Sequence, residues 1–377
     1  LKKYFLFLIA CAVVLATLGA SNLQTVDWNE FPLDARSRAL SNSVATLENN
    51  PAILNSNKIG FSTPYVNVSV SNVSEFFSTD GDILLWADKL EKGSSPVYQT
   101  EIGASARLKK IALHAKFSSN LYKEAKDNLS DGRDTTVISY DYLALTGTYA
   151  HSINLSEDIS LTLGVSSGVK FALRSNELTA GDYSDLFRNG TYFEWLATGR
   201  KYLTQVTIPV RFGVSATLPA NFQFGATVYN NEAVATNPTL FSNADSFANS
   251  FSDEEYIAKQ VTSIQFADKW EGDVSTSLTY EFGNKYHTIT FNVSMVKLRQ
   301  LIGLIVTWPD HLKIGLEYVY NNISLRAGYQ TTGLSFGFGL DFYAVHIDAA
   351  YGHVITTGNT NKTDQLTLSF RLGLDES

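Results

Sequence analysis

Residues Leu312 to Gly352 read LKIGLEYVYNNISLRAGYQTTGLSFGFGLDFYAVHIDAAYG, and the fold is decided here. Leu312, Ile314, Leu316, Tyr318 and Tyr320 alternate with Lys313, Gly315, Glu317 and Val319. The same period of two returns in Ile323/Leu325/Ala327/Tyr329, Leu334/Phe336/Phe338/Leu340 and Val345/Ile347/Ala349/Tyr351. A period of two places successive side chains on opposite faces of a strand. The links Asn321-Asn322, Thr331-Thr332-Gly333 and Phe342-Tyr343 have hairpin length, so the spacing predicts four strands of an antiparallel meander. One face of that sheet is apolar and aromatic, and the other carries Lys, Glu, Arg, Asp, Ser and Gly.

With Asn321-Asn322 as central turn residues, Glu317 falls opposite Arg326. Counting through the next two turns puts Gly337 beside Arg326 and Asp348 beside Gly337. The expected row is a charge ladder, Glu317, Arg326, Asp348, in which the glycine leaves room for the arginine. Such a row suits either the inner wall of a barrel or the wet face of a soluble sandwich.

The beginning of the chain separates those two readings. Lys2 and Lys3 precede an apolar run from Tyr4 to Leu18 that closes on Gly19-Ala20-Ser21, the pattern of a secretory signal peptide over residues 1–20. Cleavage there removes Cys11, the single cysteine, so no disulfide framework is expected. No later run is long and apolar enough for a membrane helix. An exported chain with 19 Tyr, 23 Phe and only 18% charged residues, arranged in alternating strands, reads as an outer-membrane β-barrel in contact with lipid. Its net charge of −8 argues against nucleic acid as a partner.

Further strands are read at Lys58 to about Val73, Gln99 to Tyr122 as a hairpin turning at Lys109-Lys110, Thr136 to Ala150, Ile159 to Leu173, Tyr202 to Leu218, Phe222 to about Asn230, Val274 to Phe282, His287 to Met295, and Leu366 to Leu374. Leu301 to Val306 is treated as loop. The total is about fourteen, with long connections after the first, third, fifth and seventh strands and short ones between. That two-beat rhythm belongs to an up-and-down transmembrane barrel. Two wall kinks are expected: the parity slips around Pro64, the mark of a bulge, and Pro209 removes one ladder hydrogen bond.

A barrel of that width is not filled by its own side chains. The domain division is therefore a plug at residues 21–57 inside a barrel at 58–377, with a short helix carrying Arg36 and Arg38 that ends before Asn50-Pro51. Asp34-Ala35-Arg36-Ser37-Arg38-Ala39-Leu40 and Asn50-Pro51-Ala52-Ile53-Leu54 resemble the N-terminal signature of the FadL-type outer-membrane transporters and their PorV/PorQ-like relatives, with Asp34 where a glycine is usual. Gly315-Leu316-Glu317-Tyr318, Leu325-Arg326-Ala327-Gly328-Tyr329 and Ile347-Asp348-Ala349-Ala350-Tyr351 resemble that superfamily's C-terminal strands.

The resemblance implies a fourteen-stranded barrel with an N-terminal hatch formed around Arg36, Arg38, Asn50, Pro51 and Ala52. It also implies passive uptake of hydrophobic small molecules or, as in the PorV-like members, a partner or scaffold role in protein export. Ile83, Trp86 and Leu90, on one face of an expected loop helix, and Phe187, Phe193 and Trp195 are candidates for capturing such a molecule. His346 and Asp348 share the inner parity without a nucleophile motif, so an enzyme is not expected. No metal spacing or nucleotide motif occurs, and no cofactor is expected.

Overall fold

A computed structural model of the chain describes residues 34–43, 50–54, 59–78, 98–125, 136–175, 178–179, 202–234, 239–241, 273–284, 286–296, 311–330, 333–355 and 362–375, with positions 181, 185, 189–191 and 298. The first described helix is α1 (Ala35–Ala39), and a single 3-10 turn follows at Pro51–Ile53. The wall comprises β1 (Ile59–Ser71), β2 (Tyr98–Leu108), β3 (Ile111–Ala125), β4 (Thr136–Asn154), β5 (Ser160–Ser175), β6 (Tyr202–Leu218) and β7 (Phe222–Val234). It continues with β8 (Asp273–Gly283), β9 (His287–Met295), β10 (Leu312–Tyr320), β11 (Ile323–Gln330), β12 (Gly333–Phe342), β13 (Val345–Ile355) and β14 (Lys362–Asp375).

Each of these fourteen strands pairs antiparallel with its sequence neighbours, and β1 pairs with β14, so the sheet closes on itself without an edge. Two short strands, Leu178–Thr179 and Thr239–Phe241, extend the rim beside β4 and β6. Residues 1–33, the signal-peptide assignment included, and Leu301 to Val306 lie outside the described residues.

Alternation along the strands sorts side chains by polarity in the sense opposite to a water-soluble protein. In β12, Leu334 and Phe336 are 52% and 57% exposed, while Ser335 between them is 6% exposed. Around the wall the exposed positions are Leu, Ile, Phe and Tyr, and the buried ones include Asn67, Glu101, Asn120, Lys170, Asn292, Glu317 and Arg326. An apolar exterior around a polar interior is stable only when hydrocarbon covers the outside. The chain is thus a membrane-spanning barrel.

The turns β2–β3, β4–β5, β6–β7, β8–β9, β10–β11 and β12–β13 lie together at one end. Several need a residue in the left-handed region, and non-glycine residues fill it: Lys109 at φ 53°, Ala220 and Asn221 at 61°, Asn321 at 49° and Tyr343 at 51°. That last turn corrects the sequence-derived register. The central residues are Tyr343-Ala344, because Phe342 pairs with Val345, rather than Phe342-Tyr343. Asp348 consequently faces Gly339, two positions from the Gly337 expected, on the same parity.

Strand length is uneven. β4 and β5 have 19 and 16 residues, whereas β9 and β10 have 9 each and β11 has 8. The wall is tall on one side and low on the other. A helix that the sequence reading did not anticipate, α2 (Val73–Ser78), follows β1, with Asp364 of β14 accepting hydrogen bonds from the Ser74 N–H and hydroxyl.

Charge placed on the lipid face tests the sorting. Phe336→Arg should lower the unfolding free energy in a bilayer by about 2–4 kcal/mol, while Arg at the inward-facing Thr217 should cost far less. Urea titration in lipid vesicles measures both, and equal costs would contradict the assignment of faces.

Candidate functional site

The site is the inner wall together with the N-terminal residues seated on it. Asp34 caps α1 by accepting from the Ser37 N–H at 2.8 Å, which gives the departure from the usual glycine a local role. The helix ends sooner than the sequence suggested. Ser41 and Asn42 both take left-handed φ, at 52° and 55°, and the Asn42 N–H returns to the Ser37 carbonyl at 2.7 Å.

α1 is tied to the wall at both polar and backbone groups. Arg36 makes a two-point contact with Glu317, Nε to Oε1 at 3.1 Å and Nη2 to Oε2 at 2.7 Å. Arg326 Nε donates to the same Oε1 at 2.6 Å, and its Nη1 bonds Asp348. One carboxylate thus joins two guanidiniums, and Arg326 lies between two carboxylates. Gly339, opposite Asp348, provides the space, since a Cβ there would stand 2.7 Å from Arg326 Nη1. Half of the Arg36 side chain remains accessible, against 3% of Glu317. Burial among protein groups works against the Arg36 charge, but Glu317, helped by Asp34 and Asp348, outweighs it and holds the guanidinium pKa above its ordinary value.

Arg38 spans two strands of the wall, donating to Gln365 of β14 at 2.9 Å and Gln99 of β2 at 3.0 Å. The Ala35 N–H donates to Ser369 at 2.7 Å, and Ser335 donates to the Ala39 carbonyl at 2.9 Å. Farther on, Asn50 caps the Pro51–Ile53 turn through the Ala52 N–H at 3.0 Å and donates to the Val214 carbonyl of β6 at 3.3 Å. Leu54 packs with Ala112 of β3 and Ala150 of β4.

Glycines make this close seating possible. A Cβ on Gly328 would lie 2.5 Å from the backbone nitrogen of Ser41, and one on Gly164 would lie 2.4 Å from that of Ala52. Backbone on backbone cannot yield as a flexible side chain does, so these positions accept no larger residue while the segment is seated. Gly337 beneath Ala39, Gly315 beneath Leu40 and Ser43, and Gly213 and Gly225 beside Asn50 complete the track.

Taken along the chain, the segment meets β14 at Ala35, β12 at Ala39, β11 at Ser41, β10 at Ser43, β6 and β7 at Asn50, β5 at Ala52, and β4 and β3 at Leu54. The contacts run round the barrel in chain order. The seating glycines stand three to five residues from the short-turn ends of their strands, so the track keeps one level. The ties at Arg36 and Arg38 and the seat of Asn50, Pro51 and Ala52 are therefore parts of one arrangement. The sequence reading missed the glycines, whose signal was their position on the inner parity of strands.

Both proline sites interrupt the ladder. Thr63 and Pro64 pair with neither neighbour, because the register of β1 with both β14 and β2 jumps from Ser62 to Tyr65. Tyr65 folds inward at that break over Gly103, its hydroxyl 2.5 Å from His114 Nε2. Pro209 faces Glu232 on β7 while the pairing of β6 with β5 lapses between Val210 and Thr207. The expected capture residues Ile83, Trp86, Leu90, Phe187, Phe193 and Trp195 lie outside the described residues.

His346 pairs with Asp341 at 2.5 Å rather than with Asp348, and its Nε2 has no hydrogen-bond partner. Among the described residues no hydroxyl or thiol hydrogen-bonds to that nitrogen. Among the described residues no three His, Cys, Asp or Glu side chains converge as metal ligands do.

No family model and no curated protein matches the chain. Among solved structures it is similar to the Pseudomonas putida toluene transporter TodX, at 14% identity and TM-score 0.48 over 91% of this chain and 97% of that one. It is also similar to the Ralstonia pickettii toluene transporter TbuX, at 12% identity and TM-score 0.47 over 90% and 97% of the chains. A Pseudomonas aeruginosa FadL homologue matches at 13% identity and TM-score 0.41, over 96% and 100%.

Arg326→Glu sets a third acid against Glu317 and Asp348, with Arg36 still bound to Glu317. Loss of the buried pair should cost about 3–5 kcal/mol and impair assembly, and adding Glu317→Arg should recover part of it. The readout is the urea midpoint of the barrel in lipid; an unchanged midpoint for the single variant would remove the ladder as a stabilising element.

Proposed function

We propose that the chain is an outer-membrane channel for the passive uptake of hydrophobic small molecules, with its N-terminal segment acting as a hatch over residues 21–57. The observation that carries this reading is the track: a segment fitted at one level to six inner-wall glycines, strand after strand. A general polar pore has no use for such a fitted occupant, because it narrows the passage it lines. A barrel that admits only selected molecules does, since passage then needs the segment to shift or the wall to part.

The orientation follows from the turns. Short turns face the periplasm in such barrels, so the track lies toward the periplasmic side and the tall wall faces outward. A molecule captured from outside at Ile83, Trp86, Leu90, Phe187, Phe193 or Trp195 meets the segment before it meets the periplasm. The ladder breaks at Pro64 and Pro209 supply places where the wall parts at lower cost, because fewer backbone hydrogen bonds must be given up there.

A second reading is favoured by the same fit. A segment seated on strands around the barrel from β14 to β3 is also suited to remaining in place, and a permanently closed barrel serves as a scaffold for an envelope or protein-export partner. Uptake and capture separate the two. On the channel reading, cells lacking the protein take up radiolabelled naphthalene more slowly and recover with the gene restored, whereas unchanged uptake together with specific recovery of envelope proteins on the tagged barrel would select the scaffold. In planar bilayers the intact chain should show little steady conductance and the chain without residues 21–57 much more. Large steady conductance of the intact chain would count against a hatch.

A further inference from the structure

The β11–β12 hairpin is the lowest described part of the wall. β11 has 8 residues and β12 has 10, and only positions 331 and 332 separate them, so the chain has nothing with which to raise this edge. At about 3.3 Å per residue and a tilt of roughly 40°, β11 rises about 20 Å, short of the roughly 25 Å apolar band of such barrels. β4, with 19 residues, rises to about 48 Å by the same estimate.

The hairpin stays apolar outward to its tip. Tyr329 and Leu334, next to the last and first strand residues, are 46% and 52% exposed. Behind it stands the N-terminal segment. Gly328 and Ser335, each two residues from the tip, seat Ser41 and bond Ser41 and Ala39. A wall shorter than the acyl layer draws that layer down locally. Hydrocarbon is thereby brought close to the rim at the place where the segment lies nearest to it.

We propose that this hairpin is a sill: uncharged apolar molecules already dissolved in the outer leaflet cross it to reach the outward side of the N-terminal segment, without first entering water. The proposal rests on the channel reading and names its entry route and the physical state of its substrate. A charged molecule is excluded from this route because it does not reside in the acyl layer.

Raising the sill tests it. Four residues inserted between Gln330 and Gly333, two per strand with apolar side chains outward, preserve parity and lift the edge by about 5 Å. Heat-modifiable electrophoretic mobility verifies assembly. Because an insertion can itself impair folding, a second variant, Tyr329→Arg with Leu334→Glu, keeps the length and makes the tip polar. Uptake of radiolabelled naphthalene is compared in cells with wild type, each variant, and the same insertion placed in the link between β13 and β14. Most of the protein-dependent uptake should be lost in the assembled sill variants and retained in the control insertion. Wild-type uptake with undiminished uptake by an assembled sill variant would overturn the sill and leave the channel reading standing. Absence of protein-dependent uptake in wild type would overturn the channel reading itself.

Discussion

Hydrocarbon offers the backbone no hydrogen-bond partner, and the architecture follows from that constraint. Each N–H and C=O of the wall must be satisfied by an adjacent strand, so the sheet cannot end; β1 closes on β14, and the ladder is complete apart from small breaks. In water the cost of a missing ladder bond is offset by solvent, but here it is not. The two breaks at Pro64 and Pro209 are therefore costly features that the fold retains. At the first of them Tyr65 covers the break from within.

The same closure creates a second problem, an interior wider than side chains can fill. Residues 34–43 and 50–54 of the same chain seat on its inner face. Glycine in a strand is ordinarily a weakness, since it adds unfolded-state entropy and packs nothing. On this wall inward glycines such as Gly164 and Gly328 let another backbone approach to contact distance. Ionic ties then fix the orientation of α1. Arg36 and Arg326 share Glu317, and Arg326 also takes Asp348, so removing any one group leaves another charged and buried.

Much of this is legible in the sequence. The period of two in Leu312 to Gly352 reports a sheet wet on one face, and the pattern of the first twenty residues, with the wealth of Tyr and Phe, pointed to lipid on the other. The parity slip at Pro64 located the bulge, and the pairing of Glu317 with Arg326 followed from one two-residue turn. What failed was local. A tyrosine at positive φ is sterically disfavoured, so nothing in the sequence favoured Tyr343-Ala344 over Phe342-Tyr343, and each step of the register beyond it moved by two. The end of α1 was misplaced because Ser41 and Asn42 in left-handed conformations carry no glycine to announce them. The track was missed because an inward glycine looks the same whether it faces water or a second backbone.

The central claim is that lipid touches one parity of each strand while the polar parity faces the interior and its N-terminal lining. A cysteine scan of residues 333–342 in lipid vesicles, each site carrying a fluorophore exposed in turn to a lipid-soluble and an aqueous quencher, addresses it most directly. The account predicts that Leu334, Phe336, Phe338 and Leu340 respond to the lipid quencher and that Ser335, Gly337, Gly339 and Asp341 do not. Quenching without alternation, or lipid quenching at the odd positions, would contradict it.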